Sequence, residues 1–256
     1  MKLEKKMLSK IQIDRYHKDG FVVPDFKMPE NIINKIEESH DRLLSNHPEF
    51  KNYCPAILSY DESFLEFCSN EIILNYVEQL IGPDFALWNS SFFAKPAHNG
   101  FETPWHQDGP YYFIDGIQNV SFWSPVDPVT EASLRCVAGS HLWSKPVLPT
   151  RWLSEENFYP EADKYMEVPD PDAEGMKIKE WNLEPGDAVA FNYGILHGAR
   201  GNDTGSRRRA FSLRLLGDDC RYIERPGPTS PPFPNHGMKP GDRLREDWFP
   251  TIYEEA

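Results

Sequence analysis

The chain is poor in cysteine. It holds four in 256 residues, Cys54, Cys68, Cys136 and Cys220, and no two are spaced as a Cys-x-x-Cys pair. Four in a chain this long do not make a disulfide framework and suit buried or incidental thiols in a reducing compartment. Long apolar runs are missing too. No stretch approaches the roughly 20 residues that a membrane-spanning helix needs. The N-terminal MKLEKKMLSKIQIDRY carries charge without the apolar run of a signal peptide. Positive charge is in deficit: 27 Lys and Arg stand against 40 Asp and Glu, a formal net charge of -13. A phosphate backbone or an anionic lipid surface calls for the opposite balance. Neither nucleic acid nor membrane is therefore expected as a partner. An anionic small molecule stays admissible, because net charge does not describe the inside of a pocket. These absences point to a cytoplasmic protein acting on a small-molecule substrate, and leave monomer or homodimer open.

What the chain does have is core-forming material, 39% hydrophobic and 13% aromatic. The first third reads as helical. SKIQIDRYHKDGFVV predicts a short helix stopped near Gly20 and then an extended FVV. PENIINKIEESHDRLLSNH carries Ile32, Ile33, Ile36, Leu43 and Leu44 at helical spacing, with Pro29 as a start. DESFLEFCSNEIILNYVEQLIG continues that style and ends at Gly82. From about residue 84 the texture changes to short aromatic and β-branched runs punctuated by Gly, Pro, Asn and Asp. Helices first and many short strands after predict a β-sandwich or barrel backed by helices. Residues 143–182 interrupt the strands with a long irregular insertion, which reads as a lid whose Trp143, Trp152 and Trp181 shield a site. Its Glu155, Glu156, Pro169, Asp170, Pro171 and Asp172 look solvent-exposed and unable to form a core. The Pro-rich tail retains Trp248, Phe249 and Tyr253, more apolar surface than a linker needs, and is expected to pack over the domain.

The chemistry concentrates in ETPWHQDGPYYF. On a strand, residues i and i+2 share a face, so His106 and Asp108 reach one point while Gln107 points away. Alone, His-x-Asp is a weak signal. Its weight comes from LEPGDAVAFNYGILHGARGNDTGSRRRAFSLRLL, where a strand-like GDAVAFN and a turn at Asn192 to Gly194 lead to His197. Two imidazoles and one carboxylate make a facial triad. It takes one face of an octahedral metal and leaves three positions open, as non-heme Fe(II) oxygenases require. A 2-oxo acid bound there also needs a cation for its far carboxylate, and the planar fork of arginine suits it.

With YHKDGFVV (16–23), WHQD (105–108), SFWSPVDPVTEASLRCVAGSH (121–141), LEPGDAVAF (183–191) and LHGARGN followed by RRRAFS (196–212), the chain resembles the phytanoyl-CoA dioxygenase (PhyH)-like Fe(II)/2-oxoglutarate-dependent oxygenases. The ordered set of WHQD, GSH and HGARGN…RRRA carries the resemblance. It implies a mainly β double-stranded β-helix, a cupin-like jelly roll with the N-terminal helices packed on one sheet. One domain would span 1–256: a helical part to about 83, a jelly-roll core of about 84–220 and a tail of about 221–256. Carried over, His106, Asp108 and His197 are the catalytic iron ligands. Arg208, eleven residues after His197, takes the distal carboxylate of 2-oxoglutarate. Gln107, Trp123 and Lys95 fall where the family places cofactor contacts or conserved elements beside them.

The implied activity is hydroxylation of a small-molecule or acyl substrate by a dioxygenase using Fe(II), 2-oxoglutarate and O2, with release of succinate and CO2. The alternatives are a cupin-like metal enzyme of other chemistry and a non-catalytic metal- or ligand-binding module. A related halogenase would lack Asp108. Arg214, six residues beyond Arg208, shares its face and serves either a ligand or the substrate. Arg207 and Arg209 alternate outward as surface charge. Arg135 adds positive charge near the substrate if it points inward. Tyr111, Tyr112 and Phe113 line a partly apolar pocket or simply pack. His141 reads as structural. His17, His40, His47, His98 and His236 read as surface or capping residues, with His98 the one placed to approach the pocket.

Overall fold

The computed structural model describes residues 8–151, 156–160, 163–247, 249 and 251–253. Residues 1–7, Trp152, Glu155 and Trp248 lie outside the described residues, and for Tyr253 only the backbone is described.

Helix α1 (Lys10–Asp19) begins with a reciprocal cap. The Ser9 side chain accepts from the Gln12 amide, and the Gln12 side chain accepts from the Ser9 amide. It stops at Gly20, which adopts φ +83° and donates to Tyr16 O. A Cβ at Gly20 would lie 2.2 Å from Ile195 Cδ1, so only glycine lets the helix end seat against the turn before His197. Strand β1 (Phe21–Val22) follows, then α2 (Glu30–Asn46), begun at Pro29 as its spacing predicts. Next come β2 (Tyr53–Cys54), α3 (Leu65–Cys68) and α4 (Glu71–Ile81). The helical run expected through Gly82 is broken at Ser69–Asn70, where the Asn70 side chain caps α4 by accepting from Ile72 N.

The strands that follow are β3 (Phe85–Lys95), β4 (Thr103–His106), β5 (Ile114–Asp115), β6 (Asn119–Pro125), β7 (Leu134–Val137), β8 (Ile178–Glu180), β9 (Val189–Phe191), β10 (His197–Ala199), β11 (Arg208–Gly217), β12 (Arg221–Tyr222) and β13 (Thr251–Tyr253). The major sheet runs β1-β9-β6-β11-β3, with β2 and β13 both pairing β3, and the minor sheet runs β4-β10-β7-β8. All pairings are antiparallel. This is the double-stranded β-helix, and its helices lie on the outer face of the major sheet.

Strand β11 shows how the sequence builds both faces. Phe211, Leu213 and Leu215 pack among Ile33, Ile36, Ile73, Val77 and Leu80 of the helices. Arg208, Ala210, Ser212 and Arg214 alternate to the other face, toward the minor sheet. With both faces covered, every residue of β11 is buried.

Three sequence expectations need correction. Arg209 is not surface charge. The helices cover the face it points to, and it is 3% exposed, donating to Asp127 and to Glu37 of α2. His40 is no surface residue either: it is buried and stacks on Phe92 with ring centroids 4.1 Å apart. The insertion, finally, does build a core. Val147, Trp143, Met166, Val168, Met176 and Ile178 pack on Trp105, Val137 and Leu196, on the outer face of the minor sheet. It is a cover for that sheet's back, and Trp181 joins Phe21 rather than the triad. The tail packs as expected: Phe233 stacks on Phe113 and Phe249 on Trp88.

Candidate metal centre

Strand β4 ends at His106. Asp108 is not on the strand; its φ of -68° and ψ of -45° begin the tight turn Gly109–Tyr111. The two residues therefore meet across a strand end and a turn, not along an even strand: the chain turns after His106 and brings the Asp108 carboxylate to its imidazole. His197 opens β10 directly opposite His106 in the antiparallel register. On the far side of β10, Gly198 has room for no side chain, since a Cβ would stand 2.8 Å from Thr103 O.

The three side chains converge. His106 Nε2 and His197 Nε2 lie 3.6 Å and 3.9 Å from Asp108 Oδ1. The two rings are 4.2 Å apart between centroids. Among the described residues, His106, Asp108 and His197 form the one His/Cys/Asp/Glu group able to surround an ion, with ligand atoms all within 4.8 Å of one another. Two ligands at right angles, each about 2.1 Å from one ion, stand about 3 Å apart. The ligand atoms would draw together from at most 4.8 Å to that spacing to hold one.

Both imidazoles are set in the same tautomer by the same device. His106 Nδ1 faces Pro104 O at 2.8 Å and His197 Nδ1 faces Ile195 O at 2.9 Å. A carbonyl only accepts, so each Nδ1 carries the proton and each Nε2 presents its lone pair to the centre. Burial, and then the neighbouring His106, push His197 down to about 4, so it is neutral and ready to bind at physiological pH. Burial alone would raise the Asp108 carboxyl. Arg214 and the two imidazoles outweigh it and hold the group far below the usual carboxylate range. Two imidazole nitrogens with an ionised carboxylate are the donor set a divalent cation requires.

Arg208 is 5% exposed, its Nε has no hydrogen-bond partner, and its guanidinium lies over the Trp123 ring at 5.4 Å. Burial lowers it to about 10, against the pull of Asp127 in the other direction, so it stays charged. The structure therefore brings Arg208 and Trp123 together on the inner face. Lys95 pairs with Arg208 across the β3–β11 register. Its Nζ donates to Phe101 O at 3.0 Å and Arg200 O at 2.7 Å, tying the end of β3 to the loops that flank the ligand strands.

Gln107 takes a different position from the one the resemblance implies. Its Nε2 donates to Gly194 O and its Oε1 accepts from Val147 N, so both ends of the amide are committed to backbone. It clamps the turn before His197 to the insertion. Ser140 of the GSH stretch joins that clamp by accepting from Leu196 N. His141 is structural, with Nε2 on His17 O.

Arg214 is the ligand-side cation that sequence could place on a face but not on a partner: its Nε donates to Asp108 Oδ2 at 3.2 Å. Arg135 is neutralised by Asp172 and Glu180 and lies against Trp105, on the back of the minor sheet. Tyr112 and Phe113 go into the core. Tyr111 exchanges two hydrogen bonds with the Thr150 backbone.

A family model described as phytanoyl-CoA dioxygenase (PhyH) matches residues 16–210. A probable phytanoyl-CoA dioxygenase of Caenorhabditis elegans is 28% identical over 215 residues, 80% of this chain and 61% of that protein. The human peroxisomal phytanoyl-CoA dioxygenase is 27% identical over 171 residues, 64% of this chain and 49% of that protein. The chain thus spans about half to three-fifths of the length of these relatives. Among solved structures, the non-heme alpha ketoglutarate dependent carbocyclase SnoK from nogalamycin biosynthesis superposes with a TM-score of 0.76 at 18% identity, covering 97% of this chain and 98% of that one. EctD from S. alaskensis with 2-oxoglutarate and 5-hydroxyectoine gives 0.70 at 18% identity, covering 93% and 86%. At such identities the likeness is one of fold.

Proposed function

The chain belongs to the phytanoyl-CoA dioxygenase family, and from that premise we propose that it is an Fe(II)- and 2-oxoglutarate-dependent dioxygenase hydroxylating a small molecule with release of succinate and CO2. The observation that carries this reading is one interior face with two kinds of group. Two Nε2 lone pairs and one carboxylate oxygen converge there, and a buried guanidinium whose Nε has no hydrogen-bond partner looks into the same interior from the major sheet. A cupin-like enzyme of other chemistry has no use for Arg208 at that place, and a binding module has no use for the full set.

His106, Asp108 and His197 would hold the iron. The chemistry that bound iron supplies is activation of O2 coupled to oxidative decarboxylation of 2-oxoglutarate. The chain's own part is orientation. The backbone carbonyls of Pro104 and Ile195 keep both imidazoles facing the ion. Arg208, desolvated and backed by Trp123, receives the far carboxylate of 2-oxoglutarate in a low-dielectric setting where the charge pair is strong. Lys95, opposite Arg208 at the end of the same ladder, holds the flanking loops through the carbonyls of Phe101 and Arg200.

We read residues 1–256 as one domain, on the stacking of the tail against the core. We place it in the cytoplasm, on its four free, buried thiols. Among the described residues no helix is long and apolar enough to cross a membrane. The substrate class we favour is a small, partly apolar metabolite.

The test is succinate release with Fe(II), 2-oxoglutarate and O2, with and without a panel of metabolites, in the unaltered chain and in His106→Ala and Arg208→Ala. Succinate release lost in both variants supports the reading. Release that persists in His106→Ala, or in Arg208→Ala at unchanged 2-oxoglutarate demand, overturns it.

A further inference from the structure

This inference rests on the metal reading above and concerns the carboxylate ligand. The two oxygens of Asp108 face different groups. Oδ1 faces the imidazoles, at 3.6 Å and 3.9 Å. Oδ2 turns away from them and accepts from Arg214 Nε at 3.2 Å. Arg214 is itself held: its Nη1 donates to Ser91 Oγ at 3.0 Å, and Ser91 Oγ donates to Pro55 O at 3.2 Å. Asp108, Arg214 and Ser91 are all buried.

The backbone is shaped for this contact. Arg214 pairs with Asn89 but Leu215 pairs with Leu87, so the register slips at that point and Trp88 is the extra residue. Bulges next to functional sites re-aim a side chain. Here the slip falls at the one residue of β11 that reaches Asp108.

A carboxylate with both oxygens free can chelate an ion through both and occupy two coordination positions. A site that must accept a chelating 2-oxo acid and O2 has three positions to keep open, and so one oxygen to spare from Asp108. A buried guanidinium on Oδ2 supplies the constraint and also compensates the buried negative charge. We propose that Arg214 is a positioning residue that reserves Oδ2, presents Asp108 to the metal through Oδ1 alone, and forms with the surrounding pocket a seat for a small anion beside the metal. In the native protein that seat is filled by the Asp108 carboxylate.

The probes are Co(II), whose visible spectrum reports its coordination, and formate, a carboxylate with no side chain attached. The full chain would be compared with Arg214→Met, Arg214→Lys, Asp108→Gly and the Asp108→Gly/Arg214→Met double variant. Loss of a partner that orients a metal ligand costs on the order of 10- to 100-fold in metal affinity. Arg214→Met should weaken Co(II) by that factor and alter its spectrum, with Arg214→Lys recovering part of both. Asp108→Gly should bind Co(II) poorly, and formate should restore binding there but not in the double variant.

Wild-type affinity and spectrum in Arg214→Met would overturn the positioning role. Equal rescue of the single and double variants by formate would overturn the anion seat. If Arg214→Met fails to fold, the formate comparison decides, because the double variant removes both buried charges together. Failure of the unaltered chain to bind Co(II) would instead defeat the metal reading, and the proposal with it.

Discussion

Lys95 and Arg208 pair directly across the β3–β11 ladder, so two cations stand side by side on the inner face of the major sheet. Burial, and then the charge of Arg208, lower Lys95 to about 7. Between that value and the ordinary lysine value the folded chain binds fewer protons than the unfolded one. Stability attributable to Lys95 therefore rises with pH across the window from about 7 to 10.5.

Ligand binding runs the other way. An anion on Arg208 offsets the neighbouring charge and returns the proton to Lys95. Binding of 2-oxoglutarate should be tightest below about pH 7, weaken as pH rises above it, and take up a proton near neutrality. Calorimetry in buffers of different ionisation heat measures that uptake directly. Lys95→Met should abolish it, and uptake that survives the substitution would place the proton elsewhere.

The three adjacent arginines should behave differently from one another. Arg208→Ala should cost 2-oxoglutarate affinity on the order of a hundredfold or more, the worth of a desolvated bidentate pair, with little change in stability. Arg209→Ala should leave Asp127 and Glu37 without their cation and lower stability by about 3 kcal/mol. Arg207→Ala, on an exposed residue, should do neither. Urea titration and 2-oxoglutarate binding on the three variants separate the outcomes. Equal effects would mean that the register is misassigned.

His40 makes stability depend on pH at the acid end. Burial, and then Arg209, lower it to about 4. Below the ordinary value near 6.5 the unfolded chain takes up a proton that the folded one refuses, so this contribution is intact above pH 6.5 and is lost as pH falls toward 4. The limiting loss is on the order of 3 kcal/mol, at 1.36 kcal/mol per pKa unit. His40→Phe should flatten the stability profile between pH 4 and 6.5. An unchanged slope would show that another group carries it.

Shortening the insertion should unfold the chain rather than merely open the site. Val137, Leu196 and Trp105 lie beneath it, and re-exposing such side chains costs about 1.5–3 kcal/mol each. A milder probe is Tyr111→Phe, which removes both hydrogen bonds to Thr150 for about 1–2 kcal/mol. It should leave Co(II) binding intact and raise the ratio of succinate released to substrate hydroxylated. Full coupling in Tyr111→Phe would detach the insertion from catalysis altogether.

Much of the site was legible because its signals are local. His106 and Asp108 are two residues apart, so almost any tight backbone path brings them together. The path taken, a strand end and a turn, differs from the even strand that alternation suggests. The stop at Gly20 and the start at Pro29 were equally local, set by what glycine and proline permit in the backbone. Alternation along RRRAFSLRLL put Arg208 and Arg214 on one face, and the unbroken β3–β11 register between them agrees.

What a face meets is another matter. Residues with the outward parity of Arg209 are solvated only if nothing covers that side of the sheet. Glu37 and Asp127 reach Arg209 from 172 and 82 residues away. His40 is buried for the same reason, since α2 lies on that same outer face. The chain alone determined the residue types, their local spacing and, through the family they resemble, the fold. The partner on Asp108 Oδ2, 106 residues distant, was decided by the closing of two sheets and a single register slip in β3. Such contacts depend on the summed twist, register and packing of elements far apart in the chain, and no local pattern in the sequence records that sum.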